Sequence, residues 1–126
     1  MLFKRKACYL LIGFFYLFTL SVSAQDQRIA DSMVKIYKAD TVKDEAKLEL
    51  LRNLSFNEIT NHKLALFYAE ELIRLSIQKG NKSYLFHGYF QKGNAKRLLG
   101  DLEDAVNAFF KSAEVAKKEK SFSREG

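Results

Sequence analysis

The sequence has few of the residues that form disulfide frameworks and metal sites. Its 126 residues include one cysteine and two histidines, and no proline or tryptophan. A lone Cys8 excludes an intramolecular disulfide. His62 and His87 lie 25 residues apart and have no cysteine or acidic partner at metal-ligand spacing. We therefore expect no metal and no cofactor, and a fold that is stabilised by packing alone.

Catalytic constellations are also lacking. Glu70 and Glu71 are adjacent on a predicted helix, so their side chains point about 100° apart and cannot act on one substrate as an acid and base pair. Asp101, Glu103 and Asp104 stand in the first turn of another predicted helix, where the helix dipole favours carboxylates. The glycines form no phosphate-binding pattern, because no strand precedes them. We expect this chain not to be an enzyme.

The N-terminus has the three parts of a secretory signal peptide. Lys4, Arg5 and Lys6 precede an apolar run over residues 7–20, and small residues follow it up to Ala24. We predict a signal peptide over residues 1–24 that is cleaved after Ala24, which places the protein in the periplasm or cell envelope. An uncleaved anchor and a buried core helix are the alternatives, but the run is short for a bilayer span of about 20 residues.

Charge does not point to a nucleic-acid partner. The formal net charge is +6, from 21 basic and 15 acidic residues. Cleavage would remove three basic residues and no acidic one, which leaves +3. The densest basic stretch, Lys111 to Arg124, also carries glutamates, and Phe109, Phe110 and Phe122 lie next to or within it. We interpret it as a solvated helix end and expect membrane contact only through the N-terminal segment, with binding to a polyanion or membrane surface as the alternative.

Beyond Gln25 the apolar residues recur at helical spacing, and no alternating β-branched run appears. The chain is predicted to be all-α. Five helices are expected, over about 26–37, 41–59, 64–78, 82–99 and 102–119. Asp40 or Thr41 is expected to cap the second helix, Gly80 and Gly100 to end the third and fourth, and Asp101 to cap the fifth.

The third and fifth helices align at a constant offset of 40 residues, which superposes Ala65 on Ala105 and Ala69 on Phe109. Small residues at such positions allow two helix backbones to approach closely. The chain is therefore predicted to repeat as antiparallel helix pairs. The residues expected to mediate this packing are Tyr89, Gly93, Gly100, Ala105, Phe109, Ser112, Ala65 and Ala69.

This pattern resembles the tetratricopeptide repeat, in which a bulky aromatic, a small residue, a Gly-Asp type turn and an Ala-x3-aromatic segment follow one another. The resemblance implies helix pairs stacked as a right-handed superhelix (an α-solenoid) that binds proteins or peptides. Lys92 and Lys96 replace residues that are usually apolar or aromatic in the family, and no proline closes either repeat.

The resemblance divides the chain after residue 24 into four segments. Residues 25–39 are interpreted as a solvating leader helix, 40–80 as a degenerate helix pair, 81–120 as a clearer one, and 121–126 as the start of a further repeat or a truncated end. About three repeats are usually needed for stability. We therefore expect a longer parent protein, or self-association through an unpaired terminal repeat.

A candidate binding groove follows from the first helix of each pair. Helical spacing places four residues of the fourth helix on one stripe, and Glu49 and Arg52 on the matching stripe of the second. An aromatic, an amide and a cation suit a protein or peptide ligand. The four residues are His87, Phe90, Asn94 and Arg97. Alternatively, Phe90 packs against a further repeat.

The signal peptide, the Asp-Thr-x-Lys opening at residues 40–43 and the repeats are together similar to the exported N-terminal region of bacterial signalling proteins of the histidine kinase or adenylate and guanylate cyclase type. The resemblance implies a binding module for signal transduction. The alternatives are a non-signalling envelope scaffold, or a fragment whose catalytic domain lies beyond Gly126.

Overall fold

The computed structural model describes the backbone of residues 2–125 and the side chains of residues 3–16 and 27–120. Over the described backbone the chain is helical, with no strand, so the all-α prediction is confirmed. The helices are α1 (Leu2–Ala39), α2 (Asp44–Asn57), α3 (His62–Lys79), α4 (Lys82–Leu98) and α5 (Leu102–Glu125). The predicted cleavage site at Ala24 and the predicted segment 121–126 lie outside the described side chains.

Two short turns reverse the chain between α3 and α4 and between α4 and α5. Gly80 and Gly100 both adopt left-handed backbone conformations, with φ of 67° and 84°. Such conformations are accessible to glycine without a steric penalty, and they allow the last carbonyl groups of each helix to be satisfied. The residue after each glycine then starts the next helix: the Asn81 side chain accepts a hydrogen bond from Tyr84 N at 3.1 Å, and Asp101 accepts one from Asp104 N at 3.5 Å. These helix ends lie where the sequence predicted them.

The start of α2 differs from the prediction. Neither Asp40 nor Thr41 caps it: the N-cap residue is Lys43, which makes no side-chain capping bond. Asp40 instead follows the end of α1 with φ of 48°, and its carboxylate accepts a 2.7 Å hydrogen bond from Lys47. The capping prediction is therefore wrong, because the Asp40 carboxylate binds Lys47 and not the free N–H groups of α2. The helix starts three residues later than expected.

The core lies among α1, α2 and α3. Four leucines of α2 and two residues of α3 form its buried centre, and half-buried side chains from α1, α3 and α4 pack around it. The central residues are Leu48, Leu50, Leu51, Leu54, Tyr68 and Leu72. Leu54 is completely inaccessible, so a Leu54→Ala truncation is expected to cost about 2–5 kcal/mol.

The part of α1 predicted as a leader helix is packed on one side. Ala30 is fully buried, and Met33, Val34 and Tyr37 lie against the core. The rings of Tyr37 and Tyr68 meet edge to face at 5.5 Å. A solvating role therefore applies only to the outer face of this segment. By contrast, the side chains of residues 3–16 are all exposed.

Each helix packs on the next one along the chain, and α2 also packs on α4. Near the start of both helices, the Tyr84 hydroxyl donates a 2.8 Å hydrogen bond to Glu49, 35 residues away. Near the end of α2, Phe56 shares a cavity with Phe90 and Gln91, which lie in the middle of α4, after Tyr84. The helices α2 and α4 therefore run side by side in the same direction, with a groove between them.

Candidate functional site

The groove between α2 and α4 contains a cavity of about 400 Å³ that is open to solvent. Three phenylalanines and a histidine supply most of its apolar surface, and two amides and an arginine supply its polar groups. The residues lining it are Arg52, Asn53, Phe56, Phe86, His87, Phe90 and Gln91. A concave, largely apolar site with a few polar groups is the usual form of a ligand pocket.

Aromatic rings form the α4 side of the cavity. Phe86 and Phe90 lie one helical turn apart and stack with ring centroids 6.2 Å apart, and the His87 ring meets Phe86 edge to face at 5.2 Å. Phe90 also contacts Phe109 of α5 at 5.6 Å. On the α2 side, Phe56 is 65% exposed. The cavity therefore presents aromatic surface on both helices to a ligand.

A hydrogen-bonded cluster borders the cavity at Glu49. Its carboxylate accepts hydrogen bonds from Arg52 at 2.9 Å, Asn53 at 3.1 Å and the Tyr84 hydroxyl at 2.8 Å. Burial opposes ionisation of Glu49, but the bonds from Tyr84, Asn53 and Arg52 outweigh it and lower its pKa. The same bond to Glu49, together with burial, raises the pKa of Tyr84. Glu49 is thus a carboxylate whose oxygens are already engaged by protein donors.

His87 is held towards its neutral form. Burial and then the charge of Arg52 lower its pKa, and the nearby Glu49 only partly opposes them. A neutral imidazole has one donor and one acceptor nitrogen. At neutral pH the charge of the cavity lining is therefore that of Arg52.

The structure brings together four of the six residues predicted for the groove. Arg52, His87 and Phe90 line the cavity, and Glu49 joins it through Arg52 and Asn53. Asn94 and Arg97 lie further along α4 and do not line it; Asn94 is half-buried and Arg97 is exposed.

Sequence reasoning missed Asn53, Phe56, Phe86 and Gln91 as lining residues. Phe56 follows Arg52 by four residues, which places both on one face of a helix, so this spacing was a usable signal. Phe86 stands among other apolar residues in the sequence, so it could equally well belong to a face that packs against another helix as to one that lines a groove.

The residues predicted to mediate packing between helices are mostly buried small side chains. Ala65, Ala69, Ala105 and Ser112 are all less than 7% exposed. A methyl group added at Gly93 would lie 2.6 Å from the ring of Phe109, so the missing side chain is what admits this ring. Tyr89 is half-buried, and the Lys111 ammonium lies 5.6 Å from its ring centroid.

A second close approach was not predicted. A methyl group at Gly88 would lie 2.8 Å from Ile73 Cγ1 and 3.2 Å from the backbone nitrogen of Ile73. Gly93 therefore makes room for the contact of α4 with α5, and Gly88 for its contact with α3.

Asp101, Asp104 and His62 lie outside the cavity. Lys96 Nζ bridges Asp101 and Asp104 at 3.0 Å each. The bond from Lys96 lowers the pKa of Asp101, and the two bonds together raise the pKa of Lys96. His62 is the first residue of α3, away from the cavity. Among the side chains that the structure describes, no three His, Cys, Asp or Glu residues are grouped so as to hold a metal ion.

The basic stretch near the C-terminus is only partly described. Lys117, Lys118 and Lys120 are exposed on α5, whereas the side chains of Phe122 and Arg124 lie outside the described residues. No helix in the described part of the chain combines the length and apolar character needed to cross a membrane.

No protein-family model matches the chain, and neither the curated proteins nor the solved structures contain a significant match.

Proposed function

We propose that this chain is an exported helical-repeat module of the tetratricopeptide type, which binds a protein or peptide segment in the groove between α2 and α4 and performs no chemistry itself. The observation that carries the proposal is the solvent-open cavity of about 400 Å³, with aromatic rings on both helices and polar groups at Arg52, Asn53 and Gln91. A surface of this composition suits a peptide segment that carries apolar side chains, because its backbone also needs hydrogen-bond partners.

The packing of the helices supports the repeat interpretation. The first helices of the two predicted pairs, α2 and α4, lie side by side in the same direction, and α3 and α5 are each packed against α4. Gly93 and Ala105 lie where the repeat pattern needs small residues, and both are buried. This arrangement is compatible with the right-handed superhelix that the resemblance implies.

The wider role is proposed from the sequence alone. The signal peptide pattern over residues 1–24 and the opening at residues 40–43 support the N-terminal binding region of a bacterial signalling protein. A non-signalling envelope scaffold, or a parent histidine kinase or cyclase with its catalytic domain beyond Gly126, would use the same groove in a different context.

A peptide array tests the binding function. The tagged 126-residue chain is incubated with immobilised random twelve-residue peptides, and the bound subset is recorded for the wild type and two variants. Phe56→Ser removes a ring that is 65% exposed in the cavity, whereas Phe110→Ser removes one that is 68% exposed on α5, outside the cavity. We expect Phe56→Ser to lose most of the bound subset and Phe110→Ser to keep it. Equal binding by all three proteins would rule out the groove as the binding site.

A further inference from the structure

The charge of the groove is asymmetric. Arg52 is the one charged side chain among the described residues that line the cavity. Glu49 accepts hydrogen bonds from two lining residues, Arg52 and Asn53, but does not itself line the cavity. A charged ligand group that enters the cavity therefore meets a cation first.

Arg52 and Glu49 form an ion pair, and they differ in how many of their hydrogen-bonding positions are occupied. Both carboxylate oxygens of Glu49 accept hydrogen bonds, one from Tyr84 and the other from Arg52 and Asn53. The described side chains give Arg52 one hydrogen bond, from Nη2 to Glu49, out of the five donors of a guanidinium. The two side chains are similarly exposed, Arg52 by 38% and Glu49 by 42%. The difference lies in their hydrogen bonds: Arg52 has more unused donors than Glu49 has unused acceptor sites.

The rest of the lining favours an apolar group close to that acceptor. Phe56 stands one helical turn after Arg52 on α2, and Phe90 stands opposite on α4. Asn53 and Gln91 line the same cavity, and side-chain amides can pair with both the N–H and the C=O of a peptide backbone.

From this chemistry we infer that the groove selects a peptide segment in which a large apolar side chain stands next to a carboxylate. The apolar side chain enters between Phe56 and Phe90, the carboxylate binds Arg52, and the amides of Asn53 and Gln91 hold the backbone. This inference rests on the proposed function, since it names the class of segment that the same groove takes.

Charge complementarity separates this ligand from the other possible occupants. A basic segment would place its cation against Arg52 and would find the oxygens of Glu49 already engaged. An uncharged apolar segment that covers Arg52 would displace water from its remaining donors without supplying an acceptor, which is a cost that a carboxylate avoids.

Six blocked hexapeptides of the form Ser-Gly-X-Z-Gly-Ser test the inference, with phenylalanine or serine at X and aspartate, asparagine or lysine at Z. Binding to the 126-residue chain is measured by fluorescence anisotropy. Replacement of phenylalanine by serine at X is expected to weaken binding about tenfold or more. Replacement of aspartate by asparagine is expected to weaken it about three- to tenfold, and lysine more.

A matched pair of arginine variants assigns the charge preference to Arg52. Arg52 pairs with Glu49 and Arg74 pairs with Glu71, both at a spacing of three residues, but Arg74 lies outside the cavity. Arg52→Gln is expected to abolish the preference for aspartate over asparagine and to keep the preference for phenylalanine over serine. Arg74→Gln is expected to keep both. Circular dichroism of each variant verifies that it is folded.

Histidine-selective isotope labelling locates the bound peptide, because the chain has only two histidines. The phenylalanine and aspartate peptide is expected to shift the ring signals of His87 in the cavity and to leave those of His62 unchanged. A shift confined to His62 would contradict the inference.

The outcomes separate this inference from the proposed function. If lysine at Z binds as well as aspartate, or if Arg52→Gln keeps the aspartate preference, the ligand class is wrong while a Phe56-dependent groove still stands. If no peptide shows Phe56-dependent binding, both the ligand class and the proposed function are wrong.

Discussion

Gly93 illustrates how one residue determines the contact between two helices. The Phe109 ring occupies the space that a side chain at Gly93 would need, and its centroid lies 5.6 Å from that of the Phe90 ring. The sequence predicted close packing at Gly93, because the position falls in a repeat pattern with Ala105. It did not predict the close approach at Gly88 to Ile73, since no repeat position marks it.

Substitution at Gly93 tests this contact. We expect Gly93→Leu to destabilise the fold by about 1–3 kcal/mol, because the new side chain overpacks against Phe109. Gly93→Ala should cost less, since alanine regains up to about 1 kcal/mol of helix propensity. In a Phe109→Ala background, Gly93→Ala should become stabilising because the ring is absent. Urea denaturation measures the free energy of unfolding of each variant. If Gly93→Ala destabilises the Phe109→Ala protein as much as the wild type, the ring is not the cause.

A second residue-scale prediction concerns pH. Burial and Arg52 lower the pKa of His87 in the folded chain, so the unfolded chain takes up this proton at higher pH than the folded one does. His87 should therefore leave stability unaffected well above pH 6.5. As the pH falls below about 6.5 it should destabilise the fold progressively, and the effect should level off below the lowered pKa.

Urea midpoints at pH 7.5 and 5.5 measure this pH effect. The wild type should lose more stability between these two values than His87→Gln does. Arg52→Gln should raise the pKa of His87 in an NMR titration, because it removes a neighbouring positive charge. If His87→Gln shows the same pH dependence as the wild type, other groups are responsible.

At the scale of elements, the turn between α2 and α3 joins three helices. Glu58 is only 6% exposed, and its carboxylate accepts hydrogen bonds from the backbone N–H of Thr60 and Asn61 and from the Thr60 hydroxyl. Gln27 of α1 donates to the same carboxylate at 3.2 Å and accepts, at 3.3 Å, from the N–H groups of Ile59 and Thr60. The turn is therefore built around one buried carboxylate and tied to α1.

Glu58→Ala is expected to destabilise the fold by about 1–3 kcal/mol, because it removes the acceptor of the Asn61 N–H and of the Thr60 hydroxyl and leaves the Thr60 N–H with Gln27 alone. Hydrogen exchange at Thr60 and Asn61 should accelerate. The control is Glu114→Ala, which removes an exposed glutamate of α5 and should change stability by less than about 0.5 kcal/mol. Equal effects of the two substitutions would contradict the role given to Glu58.

Predictability also differed from element to element. The ends of α3 and α4 were predictable because glycine and a polar residue together determine each turn chemically. The start of α2 was not, because Asp40 had two possible partners, the free N–H groups of a helix and Lys47, and only the tertiary structure shows which it takes. The solvating interpretation of residues 25–39 failed for a similar reason: burial of Ala30 depends on where α2 lies.

At the scale of the whole molecule, the helical class follows from apolar periodicity, but the groove depends on which helices become neighbours. Arg52, His87 and Phe90 were predictable from their spacing on a helix. The position of Phe56, four residues after Arg52, carried the same kind of signal. Phe86 was not predictable, because it joins the cavity only through the side-by-side packing of α2 and α4. Asn94 and Arg97 continue the predicted stripe beyond the point where α2 ends, and so they face no lining partner from that helix.

Export is tested on the whole chain. If the signal peptide prediction holds, expression in a bacterial host with a C-terminal tag should yield a protein that starts at Gln25, as measured by intact mass. Replacing Ala24 with a bulky residue should block this processing, since the cleavage site requires small side chains. If the unsubstituted chain reaches the envelope but keeps residues 1–24, the result would instead support the uncleaved anchor.

The position of Phe90 has a further consequence. Its ring stacks on Phe86 in the cavity and also contacts Phe109 of α5. If a ligand favours an orientation of Phe90 that only one packing of α5 accommodates, it stabilises that packing, and by thermodynamic reciprocity a partner that holds α5 in this packing tightens binding in the groove by the same factor. Occupancy of the groove and the docking of the last helix would then be coupled equilibria.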